Sequence, residues 1–251
     1  MNANFDSKKP AYRKTPTAHC SIVCVRWRGH RSSIGGDNRV MRVIAGTYRS
    51  RALLAPRGIE TRPTSDRLRE TLFNIIAMQI PGCNFADLYA GTGAVGIEAL
   101  SRGAEHVWFT EKSEPALAAI RANMKALKIS RGYTIEERGT GALLERLAKG
   151  AQKSKDSGDS NRAILLDIVY LDPPWEAEAE YANTLHLLGS TRGRAMLAEG
   201  ALIVAEHSSK APLAARYGDL VQTRTHKQGD AALSFFVVAT AKGTSESAAA
   251  V

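Results

Sequence analysis

From residue 84 onward, short apolar runs alternate with longer segments in which apolar residues recur every three or four positions. The first pattern is typical of buried strands and the second of amphipathic helices. The predicted elements are strand 85–89, helix 94–102, strand 107–111, helix 115–127, strand 133–137, helix 142–148 and strand 164–171. Because strands joined by helices return parallel to one another, this order predicts a parallel sheet covered by helices on both faces.

The C-terminal third is expected to complete an α/β fold with a mostly parallel, seven-stranded sheet. A helix over 178–188, a second helix ending before Gly200 and a strand over 201–206 follow in order. Apolar runs at 220–225 and 232–239 flank Gly229-Asp230, which predicts a hairpin that adds an antiparallel C-terminal strand. The polar residues 150–161 predict a surface loop, and residues 242–251 a frayed tail.

A glycine-rich turn follows the first strand of this sheet. Its sequence, Asp87-Leu-Tyr-Ala-Gly-Thr-Gly-Ala-Val-Gly96, has the G-x-G-x-x-G spacing of dinucleotide sites, and Glu111 ends the next strand. A carboxylate at Asp87 is poorly placed beside a pyrophosphate, but it suits the cationic amino-acid end of S-adenosylmethionine, which carries no phosphate. Glu111 can accept both ribose hydroxyls. The candidate cofactor-binding residues are Asp87, Tyr89, Ala90, Gly91, Thr92, Gly93, Glu111, Lys112 and Thr140.

The motif Asp172-Pro-Pro-Trp175 directly follows the apolar strand 164–171. A planar amino nitrogen is a poor nucleophile, and an ionised Asp172 together with the Pro173 carbonyl can accept hydrogen bonds from its two N–H groups. The prolines fix φ, and Trp175 offers a flat face for a base. The motif predicts methyl transfer onto an exocyclic amino group, with Asp172, Pro173, Pro174 and Trp175 as catalytic residues. A plain strand-to-helix turn is the alternative.

Positive charge is concentrated in the N-terminal part of the chain. Of the net charge of +9, residues 1–40 contribute eight Lys/Arg and two Asp, a net of +6. This basic extension is expected to be disordered in the free protein. Residues 41–80 are predicted to form a small basic hairpin around Gly46 and a helix capped near Thr64 or Ser65 and ended by Pro81-Gly82. The candidate nucleic-acid contacts are Arg42, Arg49, Arg51, Arg62, Arg67 and Arg69.

Other sequence features restrict the class of protein to which the chain can belong. No run of about 18 apolar residues is present, and the N-terminus lacks the pattern of a signal peptide. Three cysteines (Cys20, Cys24 and Cys83) are an odd count that favours free thiols in a reducing, cytoplasmic compartment. The His19, Cys20 and Cys24 group lacks a second pair of metal ligands, so no metal is expected. We expect a monomer.

Four segments resemble the RsmD family of bacterial ribosomal RNA methyltransferases. They are residues 41–51, the run Arg-Pro-Thr-Ser-Asp-Arg-Leu-Arg-Glu-Thr-Leu-Phe-Asn over 62–74, the glycine turn over 87–104 and the motif over 171–175. The resemblance implies a Rossmann-like class I methyltransferase domain over 81–241. It also implies methylation of the N2 amino group of one guanine in 16S rRNA, with the assembled small subunit as substrate.

The resemblance also implies residue roles. Asp172, Pro173 and Trp175 would grip the guanine, and Asp87, Gly91, Gly93 and Glu111 would hold the cofactor. The chain departs from the family at 138–142, which has no acidic residue to contact the adenine, so that Thr140 or a backbone amide is expected to substitute. Trp175 stands where the family usually has Phe. The first forty residues precede the usual family start, and are either an extension or the result of a start codon set upstream of Met41.

Three other functions fit parts of the pattern. An N6-adenine DNA methyltransferase would use the same Asp-Pro-Pro-aromatic turn, but no segment for reading duplex sequence is apparent. A nicotinamide-dependent oxidoreductase would explain the glycine spacing and leave Asp172 to Trp175 without a role. A non-catalytic RNA-binding module would make the carboxylates incidental.

Overall fold

The computed structural model describes residues 41–55, 66–157 and 164–239. The strands in these ranges are β1 (Asn84–Leu88), β2 (His106–Thr110), β3 (Tyr133–Glu136), β4 (Leu166–Leu171), β5 (Leu197–Ser208), β6 (Arg216–Tyr217), β7 (Leu220–Gln228) and β8 (Ala231–Val238). The helices are α1 (Asp66–Ile75), α2 (Ala94–Ser101), α3 (Glu114–Leu127), α4 (Thr140–Ser157), α5 (Glu178–Leu188) and α6 (Thr191–Arg194), and a 3-10 turn spans Ala77–Gln79.

The described strands form one sheet with the order β3-β2-β1-β4-β5-β8-β7-β6. Strands β1 to β5 pair in parallel, whereas β8 is antiparallel to both β5 and β7. The predicted mostly parallel α/β sheet with an antiparallel C-terminal strand is therefore confirmed, but it has eight strands instead of seven, because the two-residue β6 pairs with β7 at its edge. The chain moves outward from β1 to β3 and then returns to β4 on the other side of β1. This reversal opens a crevice at the carboxyl ends of β1 and β4.

Apolar side chains cover both faces of the sheet. One buried cluster joins α1, α2 and α3 to the sheet through residues such as Phe73, Ile97 and Ile120. The other buries α4 and α5 through residues such as Leu144 and Leu185. Because Val43 and Leu53 belong to the first cluster, the N-terminal segment 41–54 packs into the same core as the sheet.

The segment 41–54 forms one antiparallel bridge, Arg42↔Ala52, instead of the two predicted strands. Its backbone is used for docking onto α2. The amides of Ile44 and Ala45 donate to the buried Glu98 carboxylate at 2.7 and 2.9 Å. Donors that bind α2 in this way cannot also form a strand ladder, so the hairpin stays short.

Helix α4 is longer than predicted, and the predicted loop over 150–161 is wrong for residues 150–157. Ala151 and Ser154 continue the buried stripe of the helix, at 7% and 3% exposure. Small and polar residues therefore line a helix face here, although their composition indicated a loop. Residues 158–161 of the predicted loop lie outside the described ranges.

Helix α1 ends earlier than predicted, because the 3-10 turn Ala77–Gln79 separates it from Pro81. The predicted cap at Thr64 or Ser65 lies outside the described residues. So do the predicted basic extension 1–40 and the tail 242–251.

Gly96 lets α2 pack closely on β2. A Cβ at this position would lie 2.3 Å from Phe109 Cε1 and 2.8 Å from Val107 Cγ1. Because the buried Phe109 ring has little room to move, we expect Gly96→Ala to lower the free energy of unfolding by about 1–3 kcal/mol, measured by urea denaturation. The matched control is Gly150→Ala in α4, where a Cβ meets open space, and it should be neutral or stabilise by up to about 1 kcal/mol. Equal unfolding midpoints for the two variants would contradict this packing role.

Candidate active site

A cavity of about 680 Å³ lies at the carboxyl ends of β1, β2 and β4. The structure brings nearly all the predicted catalytic and cofactor-binding residues to its wall. Those that line it are Asp87, Tyr89, Ala90, Gly91, Thr92, Glu111, Lys112, Thr140, Asp172, Pro173, Pro174 and Trp175. Gly93, which precedes the first turn of α2 with φ of 76°, does not line the cavity.

Asp87 is almost completely buried, at 1% exposure. Its Oδ2 accepts a hydrogen bond of 2.8 Å from the Gly96 amide in the first turn of α2. Burial raises the pKa of Asp87 to about 8; the Gly96 hydrogen bond opposes this rise and the Glu111 carboxylate adds to it. A cation bound beside Asp87 would compensate the buried negative charge and return the pKa towards its ordinary range.

The glycine turn folds back on itself through three left-handed residues. Tyr89, Gly91 and Gly93 have φ of 65°, 53° and 76°. For Tyr89 this conformation costs about 1–2 kcal/mol, and hydrogen bonds hold it in place. Its amide donates to Thr110 Oγ1, and its hydroxyl donates to Glu180 Oε2 at 2.7 Å. The turn thereby exposes its backbone to the cavity.

Glu111, the residue that follows β2, holds the glycine turn in place by hydrogen bonds. Its carboxylate accepts hydrogen bonds of 2.8 Å from the amides of Gly91, Lys112 and Ser113. A carboxylate has about four acceptor positions, so Glu111 can shape the turn and still accept a hydrogen bond from a ligand.

Lys112 and Thr140 line the part of the cavity next to strand β2 and helix α4. The Thr140 hydroxyl lies 2.9 Å from the Thr110 hydroxyl, and both side chains are buried. The Lys112 side chain passes over Gly139, where a Cβ would lie 2.2 Å from Lys112 Cε. In the glycine turn, the Ala90 amide donates a hydrogen bond of 2.9 Å to the carbonyl of Thr110, the last residue of β2.

The first half of the Asp172-Pro-Pro-Trp175 turn is held by strand β1 and by Tyr181 of helix α5. The Asp172 amide donates to the Leu88 carbonyl of β1 at 3.3 Å. Tyr181 Oη lies 3.1 Å from the Pro173 carbonyl, and that carbonyl has a second lone pair for a ligand. Trp175 is partly buried against the core and lines the cavity.

Sequence reasoning missed several residues of the cavity wall. Among them are Met41, Tyr170, Glu180 and Glu206. Met41 Sδ lies 3.5 Å from Thr92 Oγ1, which brings the N-terminal segment to the rim. Glu206 follows the apolar run 201–205, and Asp87 and Glu111 likewise lie near the carboxyl ends of their strands, β1 and β2. The same strand-end pattern could therefore have marked Glu206 as a candidate site residue, although not as a neighbour of Asp172.

The predicted nucleic-acid residues divide into three groups. Arg42, Arg49, Arg51 and Arg67 are exposed. Arg69 is fully buried, and its Nη2 donates to the Arg42 carbonyl at 2.6 Å and to Asp66 Oδ1 at 2.8 Å. The prediction that Arg69 contacts a nucleic acid is therefore wrong, because its guanidinium is used to hold α1 against the preceding segment. Arg62 lies outside the described ranges.

Within residues 41–55, 66–157 and 164–239, no group of three His, Cys, Asp or Glu side chains is arranged to hold a metal ion. No helix in these ranges has the length and apolar character needed to cross a membrane. Cys83 is a buried free thiol whose pKa is raised to about 12 by burial. Cys20 and Cys24 lie outside these ranges.

Comparison with known proteins agrees with this geometry. A family model described as conserved hypothetical protein 95 matches residues 41–237. The Bacillus subtilis protein named "Putative rRNA methyltransferase YlbH" is 35% identical over 189 residues, which cover 75% of this chain and 94% of the relative. "Ribosomal RNA small subunit methyltransferase D" of Escherichia coli is 32% identical over 166 residues, covering 66% of this chain and 74% of the relative.

A solved structure shows the same fold. "Putative methyltransferase yhhF from Escherichia coli" superimposes with a TM-score of 0.63 at 28% identity and covers 78% of this chain and 97% of that one. The class I methyltransferase fold predicted from the sequence is therefore confirmed. Since the family model spans most of the chain and a relative at 35% identity is matched over nearly its full length, the chain belongs to the conserved hypothetical protein 95 or RsmD family of methyltransferases.

Proposed function

We propose that the chain transfers the methyl group of S-adenosylmethionine to the N2 amino group of one guanine in the 16S RNA of the small ribosomal subunit. The observation that carries the proposal is that Asp87, Glu111 and Asp172 line one cavity. Two of these carboxylates suit a cofactor with a cationic end and a ribose, and the third suits an amino group. The small-subunit RNA methyltransferase D among the relatives supports the class of substrate.

The residues of the cavity fit S-adenosylmethionine. Asp87 provides a buried carboxylate for the ammonium group, and Glu111, which already accepts three backbone hydrogen bonds, has an acceptor position left for a ribose hydroxyl. Thr140 and Lys112 lie on the wall where the adenine would be held. When bound, the cofactor supplies a methyl group that its sulfonium makes strongly electrophilic.

The protein's task is then to position and polarise the acceptor. The Asp172 carboxylate and the Pro173 carbonyl accept hydrogen bonds from the amino group and orient its nitrogen towards the methyl carbon. The nitrogen becomes cationic as the methyl group leaves sulfur, and the proton that it then loses passes to Asp172 or to water. Trp175 stacks on the base. Alignment at a near-attack distance of about 3–3.5 Å supplies most of the rate enhancement. A base within a helix cannot reach the cavity, so the target guanine lies in a loop or is flipped out of its helix.

Cofactor binding should release a proton from Asp87. Its pKa of about 8 lies above the ordinary value of 3.8, so between these two pH values the folded protein holds a proton on Asp87 that the unfolded chain has already lost. The contribution of Asp87 to stability therefore falls as pH rises, and a bound ammonium group opposes the protonated form. At about pH 6.5, calorimetry in two buffers of different ionisation enthalpy should show release of about one proton per cofactor. Asp87→Asn should abolish the release and weaken binding, whereas wild-type binding without proton release would contradict this role.

We propose that residues 41–80 form the RNA-contacting part, with Arg42, Arg49 and Arg67 at its surface. These side chains are exposed, and the neighbouring Met41 lines the cavity rim. Replacing all three by Gln should weaken binding of RNA and lower the slope of log affinity against log salt by about 2, at about 0.7 for each phosphate contact with single-stranded RNA. A triple variant at the exposed Arg131, Arg192 and Arg216 makes the same charge change as a control. An equal decrease of this slope in both variants would show that Arg42, Arg49 and Arg67 are not specific RNA contacts.

The proposal is tested by identifying the methylated nucleoside. The purified protein is incubated with radiolabelled S-adenosylmethionine and, separately, with small ribosomal subunits that lack the modification, deproteinised 16S RNA and duplex DNA. Digestion to nucleosides should place the label in N2-methylguanosine from the subunits. Label in N6-methyladenine from DNA would overturn the proposed substrate, and no label in any sample would overturn the proposed reaction.

A further inference from the structure

A second acidic side chain lies beside Asp172 in the cavity. Leu171 of β4 pairs with Ala205 of the parallel strand β5, so the next residues on the two strands, Asp172 and Glu206, are neighbours. Both line the cavity, and Glu206 is only 4% exposed. The proposed cofactor contacts do not use Glu206.

The Glu206 carboxylate is held in a fixed position. Tyr170 pairs with Val204, two residues before Glu206 on the same face of β5, and its hydroxyl donates to Glu206 Oε2 at 2.5 Å. Tyr181 Oη lies 2.8 Å from the Glu206 carbonyl and 3.1 Å from the Pro173 carbonyl. The strand carrying Glu206 and the turn carrying Asp172 are therefore tied together, and an anchored carboxylate still has acceptor capacity for a base.

Two neighbouring carboxylates match one edge of guanine. Guanine presents N1–H next to its N2 amino group, which makes two adjacent donors. Adenine and cytosine each present a bare acceptor nitrogen next to the amino group, and a carboxylate repels it. A site built to accept a hydrogen bond discriminates strongly against a base that lacks the donor, because buried polar groups are then left unpaired.

We propose that Glu206 determines base specificity by accepting the N1–H of the guanine whose N2 amino group is held by Asp172. This inference rests on the proposed function and adds the contact that separates guanine from other bases with an amino group. Tyr170 acts through Glu206 as a positioning residue.

The test uses 2-aminopurine, which keeps the 2-amino group but has a bare acceptor at N1. Small subunits are reconstituted with ligated 16S RNA that carries guanine or 2-aminopurine at the position labelled by the wild-type protein. Initial methylation rates are compared for the wild type, Glu206→Gln and Glu199→Gln. Glu199 is exposed on the same strand, β5, and its substitution makes the same chemical change away from the cavity.

The wild type and Glu199→Gln should prefer guanine by about 10²-fold or more, as expected for loss of a hydrogen bond to a buried charge. A glutamine amide can present its oxygen to N1–H or its NH₂ group to a bare N1. Glu206→Gln should therefore reduce the preference to within about fivefold, while S-adenosylmethionine binding stays unchanged and reports correct folding. The lost O6 of 2-aminopurine affects both proteins equally and cancels in the comparison.

Two results would overturn the role of Glu206. One is that the wild type methylates both bases at similar rates. This result would not depend on the correct folding of any variant. The other is a Glu206→Gln protein that loses rate equally on both bases, as a purely structural residue would. Absence of methyl transfer to guanine-containing subunits by the wild type is a different result, since it overturns the proposed function and the inference together.

Discussion

Asp172→Ala is expected to lower the single-turnover rate of methyl transfer by about 10²–10³-fold, the usual effect of removing one preorganised electrostatic group. The dissociation constant for S-adenosylmethionine should stay within about threefold. Asp172 lies on the turn after β4, whereas the proposed cofactor contacts Asp87 and Glu111 lie on β1 and after β2. Its carboxylate holds the acceptor nitrogen, so its loss affects the chemical step and leaves cofactor binding intact.

The measurement is a single-turnover assay at saturating cofactor, with binding followed separately by calorimetry. Asp156→Ala is the matched control, because Asp156 is exposed near the end of α4 and contacts Gln152. It should behave as wild type. Near-normal transfer by Asp172→Ala would remove the assigned role, and a parallel loss of cofactor binding would place Asp172 in the cofactor site instead.

Glu111→Ala should produce the opposite pattern. We expect cofactor affinity to fall by about 10²-fold, since hydrogen bonds to a charged group contribute about 1.5–3 kcal/mol each. The transfer rate at saturating cofactor should change far less. Part of the loss comes from the three backbone amides that Glu111 holds, because the glycine turn is less ordered without them.

Glu111→Gln separates these two contributions. Its amide oxygen can keep some of the backbone hydrogen bonds, but the charge is lost, so its affinity should lie between those of the wild type and Glu111→Ala. Glu105→Ala changes an exposed residue just before the opposite end of β2 and serves as the control. Wild-type affinity in Glu111→Ala would contradict the assigned contact.

The sheet and the cavity were predictable from the sequence because they depend on local patterns. Apolar runs and helical periodicity reveal strands and helices, and a parallel sheet brings their carboxyl ends together. Asp87, Glu111 and Asp172 could therefore be assigned to one site before the fold was known. The spacing of Gly91, Gly93 and Gly96 likewise predicted the turn, whereas the close packing of Gly96 on Phe109 is seen only in the structure.

Features that depend on distant contacts could not be predicted in this way. Arg69 belongs to an arginine-rich segment, and only the packing of α1 shows that its guanidinium is buried. The polar residues after Gly150 continue α4 because Ala151 and Ser154 meet the core. Glu206 becomes a neighbour of Asp172 only through the pairing of β4 with β5.

The central claim is that the methyl acceptor is the 2-amino group of a guanine, and inosine tests it most directly because inosine is guanosine without that group. Small subunits carrying guanine or inosine at the labelled position are incubated with the wild-type protein and radiolabelled S-adenosylmethionine. The account predicts full labelling of the guanine-containing subunits and none of those that contain inosine. Equal labelling of both would show that another atom accepts the methyl group.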